Sequence, residues 1–305
     1  PIQGQFTGDS TYWRGLIEGL AGINSNDEFF IYLDSNMPVC ELPASRNIKP
    51  CFLRASSWRL WSIIAFPYAL WRDRVEVAHV QYTIPPVAPC PVITSIHDVS
   101  FKRYPQFFKS IDRFILDVGV RYAGRRACRI IAVSEHTRRE ILSLYRVKSD
   151  LVSVVYPGVD RHFKPANRVA AGEYLSEKYG VSPPFVLTVG VIQPRKNLRT
   201  LIEGFAKLKA SEDLDHKLVV VGKYGWKEET LAQCIEELGL SSEVLFVGYV
   251  PHEDLPAFYN AAEVFVYPSV YEGFGFPPLE AMACGTPVIT GNRSSLPEVV
   301  GDAGI

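Results

Sequence analysis

Residues 185–210 read FVLTVGVIQPRKNLRTLIEGFAKLKA, and this stretch decides the fold class. Its opening, Phe185 to Val191, is a short apolar, β-branched run without polar alternation, the pattern of a strand buried on both faces. Gly190 lies in the run, two cations follow, and Asn197 opens a helical pattern reaching about Lys209. Strand, glycine turn and helix in that order are the repeating step of a parallel sheet.

The step repeats downstream. Lys217 to Val221, Val244 to Val247, Glu263 to Tyr267 and Pro287 to Thr290 read as strands. Helices are expected at Glu228 to Leu238, ended by Gly239, at His252 to Ala261, and at Pro278 to Cys284, closed by Gly285. Ser295 and Glu298 have the spacing of a capping box around Pro297. Upstream the pattern is less regular. Helices are read at Thr11 to Gly22, Lys109 to Ala127 and Glu135 to Tyr145, and strands at Phe29 to Asp34, Ala78 to Gln81, Val92 to His97, Ile130 to Val133 and Val152 to Tyr156. Four prolines between Pro157 and Pro184 mark a junction. The expectation is an α/β protein of two Rossmann-like, doubly wound domains: residues 1–160, a linker at 161–184, and residues 185–305. Ligands would lie in a cleft at the carboxyl ends of the strands.

Bulk composition fits this plan. At 305 residues, 47% hydrophobic and 21% charged, the chain suits two soluble domains. It contains no apolar run of about 18 residues, the length of a membrane span. Net charge is near zero, which gives no footing for a nucleic-acid partner. Residues 1–150 carry 19 Lys+Arg against 14 Asp+Glu and the rest 13 against 19, so the first half is positive by 5. That excess reads first as scatter over a solvated surface; the alternative is an anionic acceptor or peripheral contact with a membrane. Six widely spaced cysteines without a Cys-x-x-Cys pair argue against a sulfur metal site and suit a reducing cytoplasm. Cys90, Cys128 and Cys284 are expected as buried apolar residues.

Two segments carry chemistry. In Tyr271-Glu272-Gly273-Phe274-Gly275-Phe276-Pro277-Pro278-Leu279-Glu280 a strand passes into a helix. The glycines admit close backbone approach, and a helix start attracts phosphate. Glu272 in the loop and Glu280 in the first helical turn could reach different parts of one ligand, such as ribose hydroxyls. On spacing alone the pair reads equally well as a surface charge and a helix-dipole residue. The second segment, Val189-Gly190-Val191-Ile192-Gln193-Pro194-Arg195-Lys196-Asn197, again places a strand end before a helix. Adjacent Arg195 and Lys196 there can neutralise a diphosphate, one by a fork and one as a point charge.

The phrases VGVIQPRKNLRTLIEGFA, LVVVGKYGW, VLFVGYVPHEDLPAFYNAAEVFVYPSVYEGFGFPPLEAMACGTPVI and SSLPEVVGDAG, in this order, resemble the family-4 retaining glycosyltransferases of GT-B fold. SIHDVSF, IIAVSEHTRREI and VYPGVD extend the resemblance into the first half, nearest the bacterial mannosyltransferase-like branch that builds cell-surface polysaccharide. The resemblance implies hexose transfer, with mannose as the branch expectation, from a GDP- or UDP-sugar donor to a saccharide or lipid-linked acceptor. It implies that Arg195 and Lys196 hold the donor diphosphate beside Gly190, and that Glu280 holds the ribose. Glu272 would hold the transferred sugar, with the amides of Gly273, Phe274 and Gly275 lining it. It further places Val250 near the base, His97 on the sugar, and Gly8 near the phosphates. Gln5-Phe6-Thr7-Gly8-Asp9 fits the family's glycine pattern only in part.

The expected mechanism is front-face displacement through an oxocarbenium-like state, in which the departing phosphate oxygen takes the acceptor proton. Arg195, Lys196, Glu272 and His97 are its catalytic residues. Neither metal nor cofactor is expected: the one Asp-x-Asp, Asp213-Leu214-Asp215, precedes a strand and reads as a solvated turn. Two rivals stand, a nucleotide-sugar epimerase of similar fold and a non-catalytic nucleotide-sugar-binding subunit. The aromatic stretch holding Trp58, Trp61, Phe66, Tyr68 and Trp71 reads first as core and second as an acceptor-docking surface. Compared with the family, the chain reads as truncated at both termini.

Overall fold

A computed structural model of the protein describes residues 3, 8–23, 26–38, 41–223 and 229–305. Cys40 and the Gln5–Thr7 part of the expected phosphate loop lie outside the described residues. The chain divides into two compact units, Pro1–Gly158 and Val159–Ile305.

In the first unit the elements run α1 (Gly8–Ala21), β1 (Phe29–Asp34), β2 (Ile48–Leu53), α2 (Trp58–Leu60) and α3 (Phe66–Arg72), then β3 (Ala78–Gln81), β4 (Val92–Ile96) and α4 (Ser100–Arg103). They continue with α5 (Ser110–Arg126), β5 (Arg129–Ala132), α6 (Glu135–Tyr145) and β6 (Val152–Val154). All strand pairs are parallel, but they form two pieces: a β1-β2 pair and a sheet of order β3-β4-β5-β6. Residues 58–72 wind as one helical stretch with a π turn in its middle. Phe66, Ala69 and Leu70, at helical spacing, are its buried stripe. Trp58, Tyr68 and Trp71 are 57–66% exposed, which corrects the preference for reading this stretch as core. Cys128 is exposed as well.

In the second unit α7 (Arg168–Tyr179) precedes β7 (Phe185–Val189), α8 (Leu198–Ser211), β8 (Lys217–Val221), α9 (Glu229–Glu237) and β9 (Val244–Gly248). Then come α10 (Leu255–Ala261), β10 (Val264–Tyr267), α11 (Phe276–Ala283), β11 (Val288–Thr290) and α12 (Leu296–Val300). The segment 161–184 is therefore part of this unit and not a linker. Asn167 caps α7 through its side chain, Gly180 ends it in the left-handed region, and Phe163, Leu175 and Val181 are buried in the core. The prolines that suggested a linker all fall outside the helix.

Five parallel strands run in the order β11-β10-β7-β8-β9. Period-two alternation covers both faces: Phe185, Leu187, Val219 and Val221 face one cluster with residues of α10 and α11, while Val186, Leu218 and Val220 face another with residues of α8 and α9. The order advances from β7 to β9, then reverses to β10 on the other side of β7. Open sheets of this kind bind ligands outside the carboxyl ends at such a reversal. That point lies between Val189 and Tyr267.

Candidate active site

Both chemistry-bearing segments meet at that reversal. After β7 the chain passes Gly190, at φ +146°, and a short 3-10 turn, Pro194–Lys196, that carries the two cations. After β10 it passes Ser269 and reaches Glu272. Arg195 Nη1 donates to Glu272 Oε2 at 2.8 Å and to the Tyr271 carbonyl at 3.0 Å. Lys196 Nζ donates to Glu272 Oε1 at 2.7 Å and also to the Tyr267 hydroxyl. Tyr267 and Ser269 each direct a hydroxyl at the same Oε1, at 3.1 and 2.5 Å. The Tyr267 ring also lies beneath the Lys196 ammonium, 4.6 Å from ring centre to nitrogen.

Glu272 is only 7% exposed. Burial by itself raises its pKa, but the Lys196 and Arg195 charges, with the Lys196 and Ser269 hydrogen bonds, outweigh it and hold the carboxyl down to about 2. Burial and the Glu272 charge push the Tyr267 phenol well above its ordinary range. The site therefore holds an ionised carboxylate, two cations and a neutral phenol.

Glycines bring the backbone close here. Gly190 donates its amide to the Val221 carbonyl, and Gly222 donates to the Gly248 carbonyl, both at 2.8 Å. A Cβ on Gly222 would sit 2.0 Å from the Gly190 oxygen, so only glycine fits there. The Glu272 loop is fastened from the turn that leads into α12. Ser294 Oγ accepts the Glu272 amide at 2.9 Å, and Ser295 Oγ reaches the carbonyls of Glu272 and Phe274 at 3.0 and 2.5 Å. The expected Ser295–Glu298 capping box is not formed, because the serine hydroxyl is drawn to the loop. Asn197 precedes α8 but makes no side-chain cap; its side-chain oxygen accepts the Thr200 hydroxyl at 2.9 Å.

Glu280 stands differently. α11 begins at Phe276, with Pro277 and Pro278 in its first turn, so Glu280 lies in the second turn, not the first. It is 6% exposed and accepts the Tyr259 hydroxyl at 2.8 Å. Burial, only partly offset by that bond, pushes its carboxyl up to about 7. Its charge is felt by Tyr267, which ties it electrostatically to the Glu272 cluster. Gly273, Phe274 and Gly275 are buried in the loop, and Gly275 takes φ +125°. Val250 is buried in the core cluster below β9.

Two predicted residues lie in the first unit. His97 follows β4, 8% exposed, its Nδ1 4.0 Å from Asp9 and its ring edge-on to Tyr12 at 4.7 Å. Among the described residues, its buried Nε2 has no hydrogen-bond partner. Burial lowers its pKa against the pull of Asp9 and Asp98, which favours the neutral ring. Gly8 is the exposed first residue of α1, and a Cβ there would meet nothing within 4 Å. Asp213 and Asp215 are exposed in the turn before β8, at the opposite end of the sheet from the cations. Sequence reading missed Tyr267, Ser269, Ser294, Ser295 and Tyr259.

Comparison with known proteins settles the family. Residues 10–163 match the family described as Glycosyltransferase Family 4, and residues 176–304 match Glycosyl transferases group 1. The chain belongs to glycosyltransferase family 4. It is 34% identical to the O-antigen chain mannosyltransferase B of Escherichia coli over 70% of its own length and 56% of that protein. It is 30% identical to an uncharacterized glycosyltransferase of Methanocaldococcus jannaschii, covering 96% of this chain and 78% of the other. The chain thus spans little more than half of the first of these relatives. Its fold is that of the GT-B glycosyltransferases. WaaG, a glycosyltransferase involved in lipopolysaccharide biosynthesis, superposes with a TM-score of 0.74 at 18% identity, over 98% of this chain and 81% of WaaG. Anabaena HepE, solved with UDP and glucose, gives 0.64 at 22%, over 83% and 70%. Among the described residues no helix is long and apolar enough to cross a membrane.

Proposed function

We propose that this family-4 member is a retaining, metal-independent hexosyltransferase, moving mannose from a nucleotide-diphosphate sugar to a saccharide or lipid-linked acceptor in cell-surface polysaccharide synthesis. One observation carries the reading: Arg195, Lys196 and Glu272 converge at the reversal of the sheet order, hydrogen-bonded to one another. The mannosyltransferase names among its relatives support the sugar, and the HepE complex supports a nucleotide-sugar ligand for the fold. GDP or UDP is the leaving group.

In this reading the diphosphate competes with Glu272 for the two cations. As it takes them, the Glu272 carboxylate becomes available to sugar hydroxyls. Charge grows on the leaving diphosphate in the transition state, where fixed cations lower the barrier. The leaving oxygen takes the acceptor proton, so no protein base is required. Glu280 is assigned the ribose, Gly190 and the amides of Gly273, Phe274 and Gly275 the donor's close approach, and Val250 the base. Gly8 is assigned to the phosphates. In the first unit, His97 offers its unpartnered Nε2 to a substrate hydroxyl. The exposed Trp58, Tyr68 and Trp71 offer a docking surface for a lipid-linked acceptor or a peripheral membrane contact.

The test is a melting screen with GDP, UDP and ADP, joined to transfer assays. A diphosphate at about 100 times its Kd should stabilise the fold by roughly 2.7 kcal/mol. Arg195→Ala and Lys196→Ala should each lower turnover by about 10²–10³. Full activity in either variant would remove the diphosphate role. Donor conversion without acceptor would favour an epimerase, and binding without turnover a non-catalytic subunit.

A further inference from the structure

Asp160, His162 and His252 form a cluster in the second unit that the transfer reaction does not use. One nitrogen from each ring and one carboxylate oxygen all lie within 4.8 Å of one another. Asp160 and His162 come from the chain entering this unit. His252 opens the 3-10 turn before α10.

The surroundings of His162 resemble those of a metal-binding imidazole. Its Nε2 lies 3.3 Å from the His252 carbonyl oxygen, which places the ring hydrogen on that nitrogen. Its Nδ1 lies 2.8 Å from Asp160 Oδ1, a contact that a shared proton or a cation bound by both groups can make. His252 Nε2 approaches the other carboxylate oxygen at 3.7 Å. Metal-bound histidines commonly give their second nitrogen to a backbone carbonyl, as His162 does here.

We propose that Asp160, His162 and His252 bind one zinc ion, through His162 Nδ1, His252 Nε2 and the Asp160 carboxylate, with water completing the tetrahedron. Zinc bonds of about 2.0–2.2 Å set tetrahedral donors about 3.3–3.6 Å apart, inside the 4.8 Å within which the three ligand atoms already lie. Two imidazoles and one carboxylate suit zinc and disfavour magnesium and calcium, which take oxygen donors. The Phe163 ring, 4.1 Å from His162 and 5.2 Å from His252, walls one side and limits ring movement. Zinc here staples residues 160–162 to the start of α10. It is a structural ion, outside the chemistry assigned to Arg195, Lys196 and Glu272.

The test uses the full chain, stripped with chelator, given one equivalent of zinc chloride and desalted. Elemental analysis should find one zinc per chain, and titration calorimetry a single site undisturbed by excess magnesium. His162→Ala and His252→Ala should each weaken zinc binding about 100-fold, with melting curves of the metal-free variants reporting their folding. Should either fail to fold, Asp160→Asn and cobalt substitution replace it: a cobalt spectrum without a sulfur charge-transfer band supports the site. No retained zinc, undiminished binding in the folded variants, or a sulfur band from the cysteines would overturn it.

Discussion

Glu272 and Glu280 are eight residues apart, equally buried, and electrostatically opposite. Glu272 receives two cations and two hydroxyls, and its carboxyl is held down to about 2. Glu280 receives one phenol, and burial pushes it up to about 7. Depth of burial is nearly the same at 7% and 6%, so depth does not decide charge. Cations delivered from the neighbouring strand β7 do. A buried carboxylate is ionised at neutral pH when opposite charge reaches it, and a lone hydroxyl does not suffice.

The sharpest way to break this contrast is Glu272→Gln. Two largely buried cations would lose their counter-ion, a change that typically costs about 3–5 kcal/mol. The melting temperature should fall accordingly. The same variant should bind a nucleoside diphosphate lacking sugar more tightly than the wild type, because the carboxylate no longer competes for Arg195 and Lys196. Turnover should still be lost. Unchanged or weaker diphosphate affinity in a folded Glu272→Gln would show that carboxylate and phosphate do not share those cations.

Next comes Glu280, where pH is the probe. Its folded pKa stands above the ordinary 4.5, so the folded chain holds the proton more tightly than the unfolded one. The associated stability is fully present below about 4.5 and is lost as pH rises through 7, an effect of roughly 3 kcal/mol. Glu272 has the opposite sign: its stability is present above 4.5 and is lost as pH falls toward 2. Denaturant titrations between pH 5 and 7.5, in chelator so that no cation sits at Asp160, should show the slope in wild type. Glu280→Gln, which keeps an acceptor for Tyr259, should flatten it. A slope that survives the substitution would assign the titration to another group.

What the sequence disclosed follows from which contacts are local. Arg195, Lys196 and Glu272 were legible because each follows a strand through a turn, and a parallel sheet presents those turns at one end. Tyr267 and Ser269 were not. Tyr267 closes an ordinary apolar strand, and only the β7–β10 pairing, between segments about 80 residues apart, turns its hydroxyl to Lys196. Ser295 had a sound local role as a cap, and a tertiary contact overrode it. α7 was missed for a different reason: its cap at Asn167 and its end at Gly180 were readable, but the flanking prolines masked them. The two-piece sheet of the first unit has no local signature, since strand pairing is set by packing between distant elements.

Ser295→Ala sharpens the contrast most finely, because it reaches one carboxylate's loop and not the other's helix bond. The hydroxyl is fully buried and serves the Glu272 and Phe274 carbonyls, which the loop cannot turn to solvent while Gly273 and Gly275 remain buried. Removing it leaves a buried acceptor unsatisfied, a loss of about 1–3 kcal/mol. Arg195 keeps its bond to Gln193 Oε1 and Lys196 its bond to the Tyr267 hydroxyl, both outside the Glu272 loop, so the cations stay in place while the carboxylate they hold becomes less well positioned. Turnover should therefore fall while diphosphate binding changes little, and the pH 5–7.5 slope from Glu280 should persist at full size. Equal losses of slope and turnover would mean that the loop and α11 move as one body, and that the two carboxylates are not independently set.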